Sequence, residues 1–226
     1  MLANHPKGSI LNTMSQTQPH LLFPPSSTRT APTPPTTSPL PGKLLAVRGM
    51  NIIVYEPSDV DEQHEEWGAN CGPTAIAALT HREVKDVRGV VEHVANGERA
   101  KKKGLNGLWL GYMNAGHLTT ALSELGHSPK RADFKPSEWK WPKKGLAMVQ
   151  IEGPWCYPPA KPAARFRYTH TVAVVDAGGD IGVLVYDGNV GEWAREKWWA
   201  EKIMGWLVGE EKRATGWYVT TTLEVE

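Results

Sequence analysis

The pattern of apolar residues changes halfway along this chain, and the change limits the folds that it can adopt. In the first half the spacing is helical. Cys71–Thr80 is a run of small apolar residues with a proline suited to a first helical turn, and Thr80–Glu83 has the capping-box pattern of a helix start. Valines at helical spacing follow it: Val84, Val87, Val91 and Val94. A third helix is predicted to begin near Asn114 and to end at Gly126.

Short β-branched runs bounded by Gly, Pro or Asp dominate the second half, and such runs are typical of strands. They are Leu146–Ile151, Thr169–Val175 and Gly182–Tyr186. Gly178–Asp180 predicts a hairpin turn, Gly216–Val225 a closing strand, and Glu192–Met204 a short Trp-rich helix. An earlier strand is predicted over Asn51–Tyr55. Helices followed by antiparallel strands predict the α+β class, in one domain over residues 44–226.

Residues 1–43 differ in composition from the rest of the chain. They contain no Asp or Glu and are rich in Pro, Ser and Thr. Such a segment cannot bury enough apolar surface to offset the entropy of ordering it, so a disordered tail is predicted. It has neither the apolar core of a secretory signal nor the Arg-rich amphipathic pattern of a transit peptide. We therefore expect a cytoplasmic protein with an unstructured leader or an upstream start, since Met50 directly precedes the first predicted strand.

Composition excludes several classes of protein. A net charge of +1 over 226 residues argues against nucleic-acid binding by bulk electrostatics. No apolar run is long enough to span a membrane. The two cysteines, Cys71 and Cys156, cannot form a disulfide framework, and Cys156 is interpreted as a spare thiol. Neither a metal nor a cofactor is predicted, because zinc-ligand spacing and a phosphate-binding glycine loop are both missing from the sequence.

Three residues form the candidate site: Cys71, His170 and Asp187. Cys71 lies at the predicted N-terminus of a helix, where the helix dipole and free backbone N–H groups stabilise a thiolate. His170 begins one predicted strand and Asp187 ends the next, so the hairpin brings them to the same end of the sheet. An imidazole there takes the proton of the thiol, and the carboxylate holds its tautomer and orientation.

Each of these residues also has a structural interpretation. A lone cysteine in a small-residue helix is often a buried apolar residue. A histidine at a strand start is commonly a satisfied surface or core residue, and an aspartate before Gly-Asn is a common turn residue. Their order and spacing in one chain favour the catalytic interpretation.

The segment Asn70–Ala75 resembles the nucleophile motif of the papain-like cysteine peptidases. It is similar above all to the bacteriocin-leader-processing peptidases of bacterial exporters and their bacterial and phage relatives. His170–Val175 resembles the family's histidine strand, and Tyr186–Asn189 resembles the strand end that carries the third triad residue. The resemblance covers roughly residues 64–220 and implies a papain-like fold, with N-terminal helices packed on a C-terminal antiparallel sheet.

The resemblance also implies a role for each candidate residue. Cys71 would be the nucleophile, His170 the general base and acid, and Asp187 the residue that orients the imidazole. Asn189 is a fallback for the third role, because it lies on the same strand face if the strand continues.

One position departs from the family pattern. Such peptidases usually have a glutamine shortly before the cysteine, whose amide helps to bind the oxyanion; here the position holds Glu65, and the nearest glutamine is Gln63. Either Gln63 reaches the site through a longer loop, or the backbone N–H of Cys71 and the side chain of Asn70 bind the oxyanion. Loss of one such donor costs about 10²–10³ in rate, so the departure bears on catalytic efficiency or on activity itself.

The chain is therefore expected to be a cysteine peptidase that cleaves a peptide or isopeptide amide through an acyl-enzyme intermediate. Its expected partner is a peptide or protein substrate. The same triad geometry serves a deubiquitinase-like isopeptidase, a peptidoglycan amidase or a transglutaminase-like transferase. From a different class, the alternative is a weak or inactive papain-like fold that binds peptides or proteins, which Glu65 favours. A third class is a structural protein in which Cys71 is merely buried.

Tryptophan is over-represented, with 10 Trp against 3 Phe. Trp193, Trp198, Trp199 and Trp206 follow Asp187 at mixed spacing. We expect most of them to pack against the sheet and one to line the site. The loop Trp155–Pro162 is predicted to be structural or to form a wall of the substrate groove.

Overall fold

Three helices and a six-stranded antiparallel sheet make up most of the structure. The computed structural model describes residues 43–47, 50–60, 71–99, 113–153, 169–210 and 214–226, all within one unit, Pro32–Glu226. The strands are β1 (Lys43–Val47), β2 (Met50–Val54), β3 (Lys130–Asp133), β4 (Lys144–Glu152), β5 (Thr169–Asp176), β6 (Val183–Asp187), β7 (Glu192–Arg195) and β8 (Gly216–Glu224). The helices are α1 (Cys71–Thr80), α2 (Val84–Arg99), α3 (Ala115–Glu124), α4 (Glu196–Trp199) and α5 (Gly205–Glu210), with a π-helical segment, Ala200–Met204, between the last two.

The main sheet has the strand order β3-β8-β4-β5-β6-β7, and all neighbouring strands are antiparallel. The predicted α+β class is thereby confirmed. The last strand, β8, lies inside the sheet between β3 and β4, where a change of register between Met148 and Val149 leaves Thr220 as an extra residue of β8. Strands β1 and β2 pair with each other in a separate two-stranded sheet.

Helices α1, α2 and α3 form a layer with one face of the main sheet. α1 packs on β4, β5 and β6, and α2 packs on α1. The small residues of α1 are buried because they lie between the sheet and the other helices. The predicted valine stripe of α2 is confirmed: Val84, Val87 and Val91 are fully buried, and Val94 is partly buried against the same core.

The opposite face of the sheet is covered by tryptophans. Trp139, Trp141, Trp199 and Trp217 form a cluster with ring centroids 5.3 to 6.3 Å apart. Below the cluster lie aliphatic strand residues that alternate with those on the helix side, such as Val172, Val174 and Val185. The sheet therefore has a core on each face, one aliphatic and one aromatic.

The ends of α3 agree with the sequence prediction. The side chain of Asn114 accepts a hydrogen bond from the backbone N–H of His117 at 2.8 Å, which caps the first turn. Gly126 adopts a left-handed conformation (φ 91°) just beyond the helix.

The predicted capping box at Thr80–Glu83 is wrong. Thr80 is the last residue of α1, and its hydroxyl donates to the carbonyl of Ile76 at 2.8 Å. The chain then reverses through His81, whose left-handed backbone (φ 56°) separates α1 from α2. Thr80 is therefore committed to the preceding helix and cannot cap the next one.

A residue distant in sequence caps α2 instead. The carboxylate of Asp59 accepts from the backbone N–H groups of Val84 and Lys85 at 2.8 and 3.0 Å. Glu83 accepts from the backbone N–H of Ser58 at 2.9 Å and from the hydroxyl of Tyr55. These bonds fix the segment after β2 to the start of α2.

The predicted helix over Glu192–Met204 begins later than expected. Glu192–Arg195 forms β7, because its backbone pairs with the free edge of β6, and the helical segment starts at Glu196. The strands β1, β3 and β7 were not predicted.

The predicted tail, residues 1–43, lies outside the described residues except for Lys43, the first residue of β1. Within the described part of the chain, no helix has the length and apolarity to cross a membrane.

Candidate active site

Cys71 is the first residue of α1, as the sequence predicted. Its side chain is half-buried and outside any disulfide within the described residues. The next residue, Gly72, packs against Met113, since a Cβ on Gly72 would lie 3.0 Å from the Met113 sulfur. This contact leaves the start of α1 beside the start of α3.

His170 and Asp187 form a buried pair at the end of the sheet that contains the start of β5. The Nε2 atom of His170 lies 2.8 Å from Oδ2 of Asp187. The β5–β6 hairpin produces this contact: Val174 pairs with Val185, and the turn contains left-handed Gly178 and Gly182. The predicted meeting of the two residues is therefore present in the structure.

Asp187 has two further hydrogen-bond donors. The indole Nε1–H of Trp199 donates to Oδ2 at 2.8 Å, and the backbone N–H of Asn189 donates to Oδ1 at 2.9 Å. The side chain of Asn189 is exposed in the turn after β6. Asp187, rather than the fallback Asn189, thus contacts His170, and Asn189 contributes only its backbone.

Electrostatic interactions favour an ion pair between Cys71 and His170. Burial raises the pKa of Cys71, but the hydrogen bond to His170 and the charge of His170 bring this pKa below its ordinary value. Burial lowers the pKa of His170, but the charge and hydrogen bond of Asp187 raise it well above 6.5. Because Nε2 faces Asp187, Nδ1 is the ring nitrogen available to the thiol. Both shifts favour transfer of the thiol proton to the imidazole.

Asp187 is ionised in this setting. Burial raises the pKa of its carboxyl group, but His170, the indole of Trp199 and the backbone N–H of Asn189 together hold that pKa below its ordinary value. A carboxylate that accepts several hydrogen bonds fixes the orientation of the imidazole.

The turn after β6 lies directly against the first turn of α1. A Cβ on Gly188 would overlap the hydroxyl of Thr74, so the two backbones approach as closely as a glycine allows. Thr74 lies one turn after Cys71 and contacts its carbonyl through a hydroxyl hydrogen bond of 3.3 Å. This close approach holds the turn that contains Asp187 in place relative to Cys71.

The tryptophans differ from one another in their environments. Trp199 is fully buried, whereas Trp198 and Trp206 are exposed, so the prediction that most of the four pack in the core is wrong for these two. Trp193 donates its indole N–H to the carbonyl of Tyr55 at 2.8 Å. The bond from Trp199 to Asp187 could not be assigned from sequence, since irregular spacing gives no periodic signal there.

The other predicted site residues lie outside the described residues. These are the oxyanion-hole candidates Gln63 and Asn70, the residue Glu65 that stands at the usual glutamine position, and the loop Trp155–Pro162 with Cys156. Among the residues that are described, no cluster of His, Cys, Asp and Glu has an arrangement that could hold a metal ion.

A cavity of about 560 Å³ opens on the helix side of the sheet. It is lined by residues at the start of α3, by the chain after β3, and by β4, β5 and β8. Its lining includes Thr169, which directly precedes His170, but not Cys71, His170 or Asp187 themselves. The cavity is therefore next to these three residues and separate from them.

Neither a family model nor a curated protein matches this sequence.

Proposed function

We propose that this chain is a cysteine peptidase or a related thiol amide hydrolase with a papain-like fold. The observation that carries the proposal is the buried 2.8 Å contact between His170 and Asp187, with the other side of the imidazole hydrogen-bonded to Cys71. A cysteine at a helix start, a base within its reach and a carboxylate behind the base form the constellation of covalent acyl transfer.

In the first half of the proposed reaction, the Cys71 thiolate attacks the carbonyl carbon of an amide. A C–S bond forms, and the carbonyl π electrons move to oxygen to give a tetrahedral oxyanion. When the oxyanion collapses, the C–N bond breaks and the His170 imidazolium gives its proton to the leaving amine. The product is a thioester on Cys71 and a neutral imidazole.

In the second half, the imidazole takes a proton from water while the water oxygen attacks the thioester carbonyl. Collapse of this second intermediate breaks the C–S bond and releases a carboxylic acid and the Cys71 thiolate. The backbone N–H of Cys71 at the start of α1 is one donor for both oxyanions. Gln63 or Asn70 is proposed for the second donor.

Related acyl-transfer reactions share the first half of this scheme. An isopeptidase differs in the amine that leaves, a peptidoglycan amidase in its substrate, and a transferase in replacing water by an amine. The alternative from another class is a peptide-binding module with little or no turnover, which Glu65 at the usual glutamine position favours.

Alkylation of the native protein by iodoacetamide between pH 4 and pH 10 tests the proposed ion pair. Mass spectrometry separates Cys71 from Cys156, which provides an internal reference thiol. We expect Cys71 to react with an apparent pKa below the free-thiol value of about 8.5, and this advantage to be lost in His170→Ala. A Cys71 pKa that is indifferent to His170 would move the assignment to the binding module.

Turnover is tested with a peptide library digested by the purified protein and analysed by mass spectrometry. We expect cleavage by the wild type and none by Cys71→Ala, while Cys156→Ala, the matched control, cleaves like the wild type. Equal cleavage by Cys71→Ala and wild type would show that the assignment is wrong.

A further inference from the structure

Two independent features show that the cavity lies beside the triad of Cys71, His170 and Asp187. Asn114 at its rim directly follows Met113, which packs on Gly72, the neighbour of Cys71. On the other side, Thr169 lines the cavity and precedes His170 in β5. A substrate whose carbonyl carbon is at Cys71 therefore has the cavity next to it.

The β-bulge in β8 shapes this cavity. Successive residues of a regular strand point to opposite faces, yet Thr220 and Thr221 both line the cavity. The extra residue at Thr220 makes this possible, because Met148 pairs with Thr221 while the next residue of β4 pairs with Val219. Bulges commonly redirect side chains in this way near binding sites.

The charges in the lining do not balance. Asp133 accepts from Arg131 Nε through both of its oxygens at 3.0 Å, and from the Thr221 hydroxyl at 2.8 Å, so these two charges cancel. Lys135 remains, exposed and without an ion-pair partner among the described residues. The first turn of α3, at the rim, adds partial positive charge.

We infer that this cavity binds a carboxylate of the substrate, close to the bond that is cleaved. The inference rests on the proposed function and names a substrate class for it: peptides with an Asp or Glu side chain, or a free C-terminal carboxylate, beside the scissile amide. The volume lies within the range of pockets that hold drug-sized ligands, so it accommodates a segment of peptide rather than a lone ion. Lys135 supplies the charged donor, and the first turn of α3 adds partial positive charge at the rim.

Peptide binding to the Cys71→Ala protein tests this inference without requiring turnover. The probes are three peptides: acetyl-Ala-Glu-Ala-amide, acetyl-Ala-Gln-Ala-amide, and acetyl-Ala-Gln-Ala with a free carboxyl terminus. Kd values come from NMR titration, with the backbone amides of Thr169 and Thr221 as reporters. We expect one of the carboxylate peptides to bind about tenfold tighter than the neutral peptide, as for a charge-assisted contact.

Matched charge variants identify the source of the preference. Lys135→Gln should reduce the preference to near unity, whereas Lys85→Gln, an exposed lysine on α2 outside the cavity, should leave it intact. Preference for the Glu peptide assigns the cavity to an acidic side chain, and preference for the free acid assigns it to a chain terminus. Equal affinities, a preference that survives Lys135→Gln, or reporter amides that do not shift would each overturn the inference.

The two proposals fail in distinguishable ways. If wild-type Cys71 is an ordinary thiol but the carboxylate preference is present, the cavity assignment stands and the hydrolase assignment falls. If the wild type cleaves peptides but the preference is missing, the hydrolase stands and the cavity assignment falls.

Discussion

The two faces of the main sheet contribute to the candidate site in different ways. On the helix face, small aliphatic residues allow α1 to pack closely on β5. Backbone packing fixes the position of Cys71 there, because Cys71 is the first residue of this buried helix. On the tryptophan face, side chains do the positioning. His170 is held by Asp187, and Asp187 is held by the indole of Trp199.

This difference separates two requirements of the proposed thiol nucleophile. The cysteine needs a fixed position and a thiolate-stabilising helix start, which backbone packing supplies. The base needs a fixed tautomer and a raised pKa, which a buried carboxylate supplies. Cys71 is positioned from the helix face of the sheet and His170 from the tryptophan face. The two residues meet at the end of the sheet where β5 begins.

The largest expected effect comes from removing the carboxylate on the tryptophan face. Asp187→Ala leaves His170 buried without its counter-charge, so we expect the free energy of unfolding to fall by about 3–5 kcal/mol in urea denaturation. Asp176→Ala is the matched control, because Asp176 is an exposed aspartate that ends β5 and accepts, within the described residues, only from the Gly178 backbone. Equal losses in the two variants would contradict the special role of the buried pair.

The pH dependence of that loss has a defined shape. The pKa of Asp187 is lowered in the folded state, so its contribution to stability is present above its ordinary value of 3.8 and is lost as the pH falls through the folded pKa. The pKa of His170 is raised, so its contribution is present below 6.5 and is lost as the pH rises through the folded pKa. The difference between wild type and Asp187→Ala should therefore be largest between pH 3.8 and 6.5. A difference that does not vary with pH would argue against the pair.

A smaller effect is expected from Trp199→Phe, which keeps an aromatic ring but removes the indole donor. Hydrogen bonds to charged groups contribute about 1.5–3 kcal/mol, and we expect a loss of stability of that size. The pKa of Asp187 should rise, since one of its donors is gone, and this should appear in the acid limb of the unfolding curve. Trp217→Phe, in the same ring cluster, is the control for packing alone. Identical acid limbs in the two variants would contradict a role of the Trp199 indole in lowering the pKa of Asp187.

The contact between the two halves of the site is tested by Gly188→Ala. The added methyl group overlaps the Thr74 hydroxyl, so we expect a loss of about 1–3 kcal/mol in urea denaturation and slower alkylation of Cys71 at neutral pH. Gly89→Ala is the control: it is exposed in α2 with no atom near its Cβ, and it should gain stability. Alkylation at the wild-type rate in Gly188→Ala would mean that this contact does not position Cys71.

Local chemistry made parts of the fold predictable. The two ends of α3 could be predicted from Asn114 and Gly126, because a capping side chain and a left-handed glycine act within one turn of the chain. The glycines between β5 and β6 predicted a hairpin, and a hairpin brings His170 and Asp187 together by register alone. The same local reasoning failed at Thr80–Glu83, because Asp59, more than twenty residues earlier in the chain, caps α2 instead.

The amino-acid sequence by itself determined the α+β class, the helix start at Cys71 and the hairpin that pairs His170 with Asp187. Each of these follows from interactions between residues close in the chain or from the register of a single hairpin. Only the tertiary structure decided that β8 lies inside the sheet, that Trp199 donates to Asp187, and that Gly188 packs on Thr74. These last features join segments that are distant in sequence. The free energy that selects them comes from burial and hydrogen bonding in the assembled core, which leaves no periodic signal in the chain.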